Sequence, residues 1–329
     1  MKLFRTLFLT TLACVFLFQA GNAQHQRMVL VEEFTSQTCP PCVTAKPIIK
    51  AFANTPNVIT VTYHQNYPAP GDVYNVLDNN LNRKRHDWYG VTGIPNARLN
   101  GQNVSIGLAA LQAAAAPYLS EQSPLLITIT EDRSKAPVEV TVTVRNDGSS
   151  AVSGVYLHTQ VINYYADLKD YPDVKNNANT RYSDFDYCIM KAMPTIDGAP
   201  ISIDAGKEVS VKYTYSMGTN KSLWTSPYVI AFIQNMNTKE VLQAGSNFSS
   251  ISNQVSIEST ESAYLMTGRN KDVKKTITLK NDKSKAMTVS VDFAGTPAVP
   301  ADWTAPELSK KSVTIPPNGT ATVDVTFKA

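Results

Sequence analysis

Two cysteines separated by two prolines, Cys39-Pro40-Pro41-Cys42, are the residues of this chain best suited to chemistry. They stand where an apolar, β-branched run gives way to helical composition, and such a pair has three readings. As a redox dithiol, the first cysteine reacts as a thiolate, which the positive end of a helix stabilises. As half of a zinc or copper site, the pair needs further ligands at suitable spacing. As a structural disulfide it closes so short a loop that chain entropy contributes little. The remaining candidate ligands are Cys188 and His25, His64, His86 and His158, and none forms a second CxxC or an HxxxH. His64 ends the next apolar run and could approach the pair, which keeps a copper site open. The redox reading is favoured, with no metal assigned and no dissociable cofactor required.

The elements that must position the pair follow from local pattern. Residues 28–34 (MVLVEEF) form a short run suited to a buried strand, residues 41–53 have helical composition, and residues 58–63 (VITVTY) predict a second strand. Pro40 and Pro41 lack amide hydrogens and suit a first helical turn. Cys39 is then expected at the helix N-terminus as an exposed attacking thiol, with Cys42 one turn further in as the resolving thiol. Residues 72–88 read as a polar helix or two short ones. Asn100-Gly101 between 97–99 and 102–104 is a hairpin signal, and the Ala-rich stretch 108–119 is helical. A β-α-β unit followed by a hairpin and a helix predicts a mixed sheet with helices on both faces.

The pattern changes after Ser120. Residues 125–130, 138–144, 152–162, 209–215 and 228–234 alternate or run β-branched, separated by turn residues, which predicts an antiparallel sandwich. Residues 163–186 are polar and Tyr-rich and read as an elaborated loop. Ser246 to Asn253 reads as a link to a third unit with strands near 274–279, 287–293, 312–315 and 320–327. The expected organisation is multidomain: a leader at 1–23, an α/β domain at 24–120, a β-sandwich at 121–252, and a small Ig-like β domain at 253–329. Cys188 is expected to be a buried, inert thiol, with a mixed-disulfide or dimer role as the alternative.

Bulk properties place the chain outside the cytosol. Lys2 and Arg5, an apolar stretch from Leu7 to Phe18, and small residues Gly21 and Ala23 form a secretory leader. That stretch is short of the ~20 residues that span a bilayer, and no later segment is apolar enough, so no transmembrane segment is expected after its removal. Hydrophobic residues are 43% and charged residues 17% of the 329, with net charge +3. No basic stripe with interleaved aromatics is present, so nucleic acid is not an expected partner. Export to an oxidising compartment permits pairing of Cys39 with Cys42.

Several features in register resemble the thioredoxin family. Val29 to Phe34 is similar to that family's central strand. Glu33, six residues ahead of Cys39, matches its buried proton-relaying acid, and Pro47 its helix proline. Tyr89-Gly90-Val91-Thr92-Gly93-Ile94-Pro95 resembles the segment carrying the cis-proline, and Asn100-Gly101 the following turn. The resemblance implies a cis Ile94–Pro95 peptide, with Ile94 and the Pro40-Pro41 turn meeting the substrate strand. It also implies that Glu33 assists Cys42, a role that burial beside a thiol supports by raising a carboxyl pKa toward the working range. Thr35, Thr38 and Val43 replace residues usually aromatic or basic. The leader, the VEEFTSQTCPPC block and the long β-rich half together resemble the twenty-eight-kilodalton outer-membrane-protein family of Gram-negative bacteria. What this implies is an exported thiol–disulfide oxidoreductase of the periplasm or cell surface, acting on protein thiols or disulfides with a possible redox partner protein. The rival expectation is an adhesion or assembly protein in which the cysteine pair is structural.

Overall fold

The apolar run that precedes the cysteines forms the middle of a nine-stranded sheet. The computed structural model describes residues 25–248, 255–258, 272–281, 286–291, 306–317 and 319–327. The expected leader at 1–23, with Cys14, lies outside them, as do residues 249–253 of the expected link. After a two-residue β1 (His25–Gln26), strand β2 (Val29–Thr35) is buried along its whole length. Helix α1 (Cys42–Ala53) crosses to β3 (Val58–His64), which pairs with β2 in parallel, Val29 opposite Val58 through Thr35 opposite His64. A parallel pair needs such a crossover. Two short helices, α2 (Val73–Leu77) and α3 (Asn79–Tyr89), precede the hairpin β4 (Asn96–Leu99) and β5 (Gln102–Val104), and α4 (Leu108–Ser120) follows. β4 adds antiparallel to the free side of β2.

The next stretch supplies β6 (Gln122–Ser123), β7 (Leu125–Asp132), β8 (Val138–Asn146) and β9 (Val152–Asp167). A four-residue helix α5 (Pro172–Lys175) leads to β10 (Asp184–Met193), β11 (Ala199–Ile203), β12 (Glu208–Tyr215), β13 (Pro227–Gln234) and β14 (Val241–Ser246). The expected loop at 163–186 is therefore partly strand: β9 runs on to Asp167 and β10 begins at Asp184. β12, β8 and β7 make a three-stranded sheet, while the large sheet has the order β14-β13-β9-β10-β3-β2-β4-β5, with β11 on β9. The division expected at residue 120 does not divide this sheet. β10 lies parallel to β3, with Cys188 opposite Thr62, and so joins strands from both sides of that point.

The two faces of the large sheet are covered differently. On one face, α1 and α4 pack on Val29, Val31 and Val58 around Ile49, Phe52 and Leu111. Further along that face, Val138, Val140, Val142 and Val144 of β8 meet Leu157, Val161, Val229 and Ala231. Their every-second-residue burial is the pattern of a strand packed on one side. The opposite face buries Leu30, Phe34, Tyr63, Ile162, Ile230 and Phe232 with Leu81 and Tyr89 of α3. Burying a side chain of this size contributes ~1.5–3 kcal/mol. At the hairpin, Asn100 and Gly101 both take positive φ, 45° and 85°, as a tight two-residue turn requires. A Cβ on Gly101 would stand 1.7 Å from the Lys239 carbonyl oxygen, so the turn is pressed against the chain between β13 and β14.

The C-terminal strands are β15 (Val255–Glu258), β16 (Val273–Asn281), β17 (Met287–Ser290), β18 (Glu307–Leu308), β19 (Ser312–Ile315) and β20 (Thr320–Phe327). They form a four-stranded and a two-stranded sheet around Leu279, Val313, Ile315 and Val323. The protein is multidomain and β-rich, with few helices.

Candidate functional site

The site starts where β2 ends. Thr35, Ser36, Gln37 and Thr38 are all buried. The Ser36 carbonyl accepts from the Cys39 amide at 3.1 Å, and Thr38 Oγ1 donates to the Ala69 carbonyl at 2.8 Å. Cys42 and Val43 amides bond back to Cys39 and Pro40 carbonyls at 3.2 and 3.3 Å, a tight turn that leads into α1. Pro41 is the N-cap and has no amide to leave unsatisfied. Cys39 and Cys42 are joined by a disulfide with Cα atoms 5.3 Å apart.

The expectation that Cys39 is exposed is corrected. Its relative exposure is 1% and that of Cys42 is 0%, whereas Pro40 and Pro41 are both exposed. The helix begins at Cys42, so the prolines form the outward turn and Cys39 lies ahead of it, facing the β4 side. Cys39 Sγ lies 3.8 Å from the Ile94 carbonyl oxygen, and the Ile94–Pro95 peptide is cis. The dithiol and Ile94-Pro95 are thus brought together; Pro40 and Pro41 flank them at the surface.

Glu33 faces α1 from β2, on the same side as Val29 and Val31. It is 3% exposed, and its Oε1 has no hydrogen-bond partner. Burial pushes its pKa up to about 7, against the opposing charges of His64 and Lys46, with Asp186 adding to the rise. Lys46 stands one turn beyond Cys42 on the same side of α1. Its Nζ bonds Asp184 and, at 2.7 Å, Asp186, while Lys50 Nζ reaches Asp186 at 2.7 Å. A narrow cavity of about 20 Å³ separates α1 from the sheet, lined by Glu33, Lys46, Lys50, Thr62, His64 and Asp186 among others. That is room for one water.

His64 turns away from the role considered for it. Its Nδ1 pairs with Asp72 Oδ2 at 2.8 Å, and its Nε2 lies 3.4 Å from Cys188 Sγ. Among the described residues no three His, Cys, Asp or Glu side chains converge as a metal-binding group. Sequence reasoning missed Lys46, Asp72 and Asp186. Lys46 was signalled by its i+4 spacing from Cys42, and Asp72 by its place ahead of a helical turn, where it caps Tyr74 and Asn75. Asp186 had no local signal, because its place depends on β10 lying beside β3.

On the opposite face, Glu32 is held by Arg85 in a two-point ion pair, Nε at 2.7 Å and Nη2 at 3.1 Å. Tyr63 donates to it at 3.1 Å, Tyr89 donates to its other oxygen, and Gln234 accepts from Arg85 at 2.7 Å. All of these residues are buried. This network ties β2 and α3 to β13.

The family described as outer membrane protein Omp28 matches residues 82–249, just over half of the chain. The match begins within α3 and ends after β14, so Cys39, Cys42 and Glu33 precede it. No curated protein matches the chain in sequence. Among solved structures, HBP35 of Porphyromonas gingivalis is similar with a TM-score of 0.53 at 16% identity, covering 91% of this chain and 98% of that one. A protein of Agrobacterium tumefaciens gives a TM-score of 0.47 at 15% identity, over 68% of this chain and 95% of that one. The likeness to HBP35 is one of fold. Among the described residues no helix is long and apolar enough to cross a membrane.

Proposed function

The chain belongs to the Omp28 outer membrane protein family, an exported protein of Gram-negative bacteria, and we propose that it works there as a thiol–disulfide oxidoreductase through Cys39 and Cys42. The observation that carries this reading is the bonded pair at a strand-to-helix turn, with Ile94-Pro95 against Cys39 and an unpartnered, buried Glu33 on the α1 side of the sheet. On this reading residues 24–120 act as a thioredoxin-like unit, and the β-rich remainder holds partners or tethers the unit near its clients.

In the oxidising direction a client thiolate attacks Cys39 Sγ. The Cys39–Cys42 bond breaks, a client–Cys39 disulfide forms, and Cys42 leaves as a thiolate that takes a proton from Glu33. A second client thiolate then attacks the mixed disulfide and releases Cys39. The client is oxidised by two electrons and the pair reduced by two; the reverse sequence reduces a client. A carboxyl with pKa about 7 can hold or release that proton at neutral pH. Pro40, Pro41 and Ile94 form the rim a client strand would meet, once Cys39 is uncovered.

The 1% exposure of Cys39 favours one rival reading, a surface adhesion or assembly protein in which the pair is a staple. Glutathione equilibration with alkylation mass shifts separates the two. A potential between about −120 and −270 mV lies in the range of dithiol catalysts, and one below about −300 mV marks a structural bond. Cys42→Ser is expected to trap mixed disulfides with client proteins; recovery of none would leave the adhesion reading standing.

A further inference from the structure

One group of reactive side chains lies outside the dithiol chemistry. Cys188, His64 and Asp72 are in line and almost wholly buried, at 1%, 2% and 0% exposure. Asp72 is fixed at four points. One oxygen accepts from the Gln37 amide at 2.6 Å and pairs with His64 Nδ1, and the other accepts from the Tyr74 and Asn75 amides at 3.0 Å. With Asp72 accepting from Nδ1, His64 presents Nε2 to Cys188 Sγ at 3.4 Å. Thr62 Oγ1 approaches the same sulfur at 3.5 Å and donates to the Asp186 carbonyl at 2.9 Å. An imidazole held by a carboxylate against a thiol is the arrangement that activates a cysteine nucleophile.

We propose that Cys188 is a second reactive thiol, activated by His64 and positioned through Asp72, whose substrate class is the smallest hydroperoxides. The one-water cavity supplies the approach. Its lining includes exposed Lys50 and buried Thr62, His64 and Asp186, whose atoms approach Cys188 Sγ within 3.4–3.7 Å. Glu33, 3% exposed, lines the same space and has an Oε1 with no hydrogen-bond partner, a polar group that a small polar guest could satisfy. The size of the cavity excludes bulky electrophiles.

The step balances within the molecule. Cys188 passes its proton to His64 Nε2 and attacks the terminal peroxide oxygen as a thiolate. The S–O bond forms as the O–O bond breaks, and the imidazolium returns the proton to the departing oxygen. Cys188 becomes a sulfenic acid, and the hydroperoxide is reduced to an alcohol, or to water from hydrogen peroxide. The electrostatics around His64 agree with this. Burial by itself lowers its pKa, but the charges and hydrogen bonds of Asp72 and Cys188 outweigh burial and hold it well above its ordinary value.

The test uses the full exported chain with Cys39 and Cys42 oxidised, which leaves Cys188 as its free thiol among the described residues. Hydrogen peroxide is added, sulfenic acid is trapped with dimedone, and the Cys188 peptide is followed by mass spectrometry. Native protein is expected to react at least ~10-fold faster than the same protein in denaturant, where the thiol has ordinary reactivity. His64→Gln is expected to slow the native reaction ~10²-fold, the usual scale of general-base assistance, and Asp72→Asn less. Cumene hydroperoxide should give no native advantage. A Cys188 that reacts only in denaturant, or equally fast with and without His64, overturns the proposal. The native-to-denatured ratio needs no variant, so a misfolded His64→Gln protein does not blunt the test.

Discussion

Glu32 and Glu33 are neighbours in sequence and identical in side chain, yet they occupy opposite sides of the large sheet and differ in their hydrogen-bond partners. Glu32 lies on the α3 face, with Arg85, Tyr63 and Tyr89 on its two oxygens. Glu33 lies on the α1 face, above a small cavity, with one oxygen unpartnered and its pKa raised to about 7. Strand alternation sends successive side chains to opposite faces, so one residue step separates a completed network from an incomplete one. The lesson is that a buried carboxylate is held in place by its partners and made available for chemistry by the lack of them. The α3 face uses its charge to bind the two halves of the sheet; the α1 face leaves Glu33 beside a small cavity, with one oxygen unpartnered and its pKa raised by burial.

The largest expected effect comes from breaking the completed side. Arg85→Ala strands the Glu32 charge in the core and should lower unfolding free energy by about 3–5 kcal/mol, read as a shift in denaturant midpoint. Replacing both partners, Glu32→Leu with Arg85→Met, should recover most of that loss, because no charge is then left unpaired. A double variant as unstable as the single one would show that the network stabilises beyond its charges.

Glu33→Gln should have the reverse sign and depend on pH. Folded Glu33 titrates near 7 and unfolded Glu33 near 4.5, so the folded state binds the extra proton between these values. Stability therefore falls as pH rises from about 4.5 to 7 and stays lowered above, and the variant escapes this loss. At pH 8 the variant should gain on the wild type, relative to pH 4, by an amount on the order of 3 kcal/mol. An equal difference at both pH values would mean that Glu33 is not held in a raised-pKa site. Tyr89→Phe is the smallest of the three. It removes one donor from Glu32 while Arg85 and Tyr63 remain, and should cost about 1–2 kcal/mol in the same denaturant titration.

Much of the site was legible from local pattern. The run ahead of the cysteines is β2, the helical stretch after them is α1, and the Asn100-Gly101 turn lies where two-residue hairpin chemistry puts it. The Cys39–Cys42 spacing was enough to mark the pair, which the structure joins as a disulfide. The exposure of Cys39 was not legible, because helical composition does not say which residue starts the helix. Here Pro41 is the cap, and the turn ahead of it presses Cys39 against Ile94. The start of β10, residues 184–186, was hidden in a polar, Tyr-rich stretch, because its place between β9 and β3 is set by pairing and not by local pattern.

By itself, then, the sequence determined the elements around the dithiol, since period, caps and turn residues act over a few positions. Tertiary structure decided which of them share a sheet. β10 lies beside β3 with Cys188 opposite Thr62, a pairing across 126 residues that no local periodicity encodes. That one register merges the two halves into one sheet and sets His64 between Asp72 and Cys188. It also brings Asp186 to Lys46. The physical reason is the range of the forces: hydrogen-bonded turns and side-chain periods are local. Strand order is chosen instead by which apolar faces can be buried together once the chain has closed its long loops.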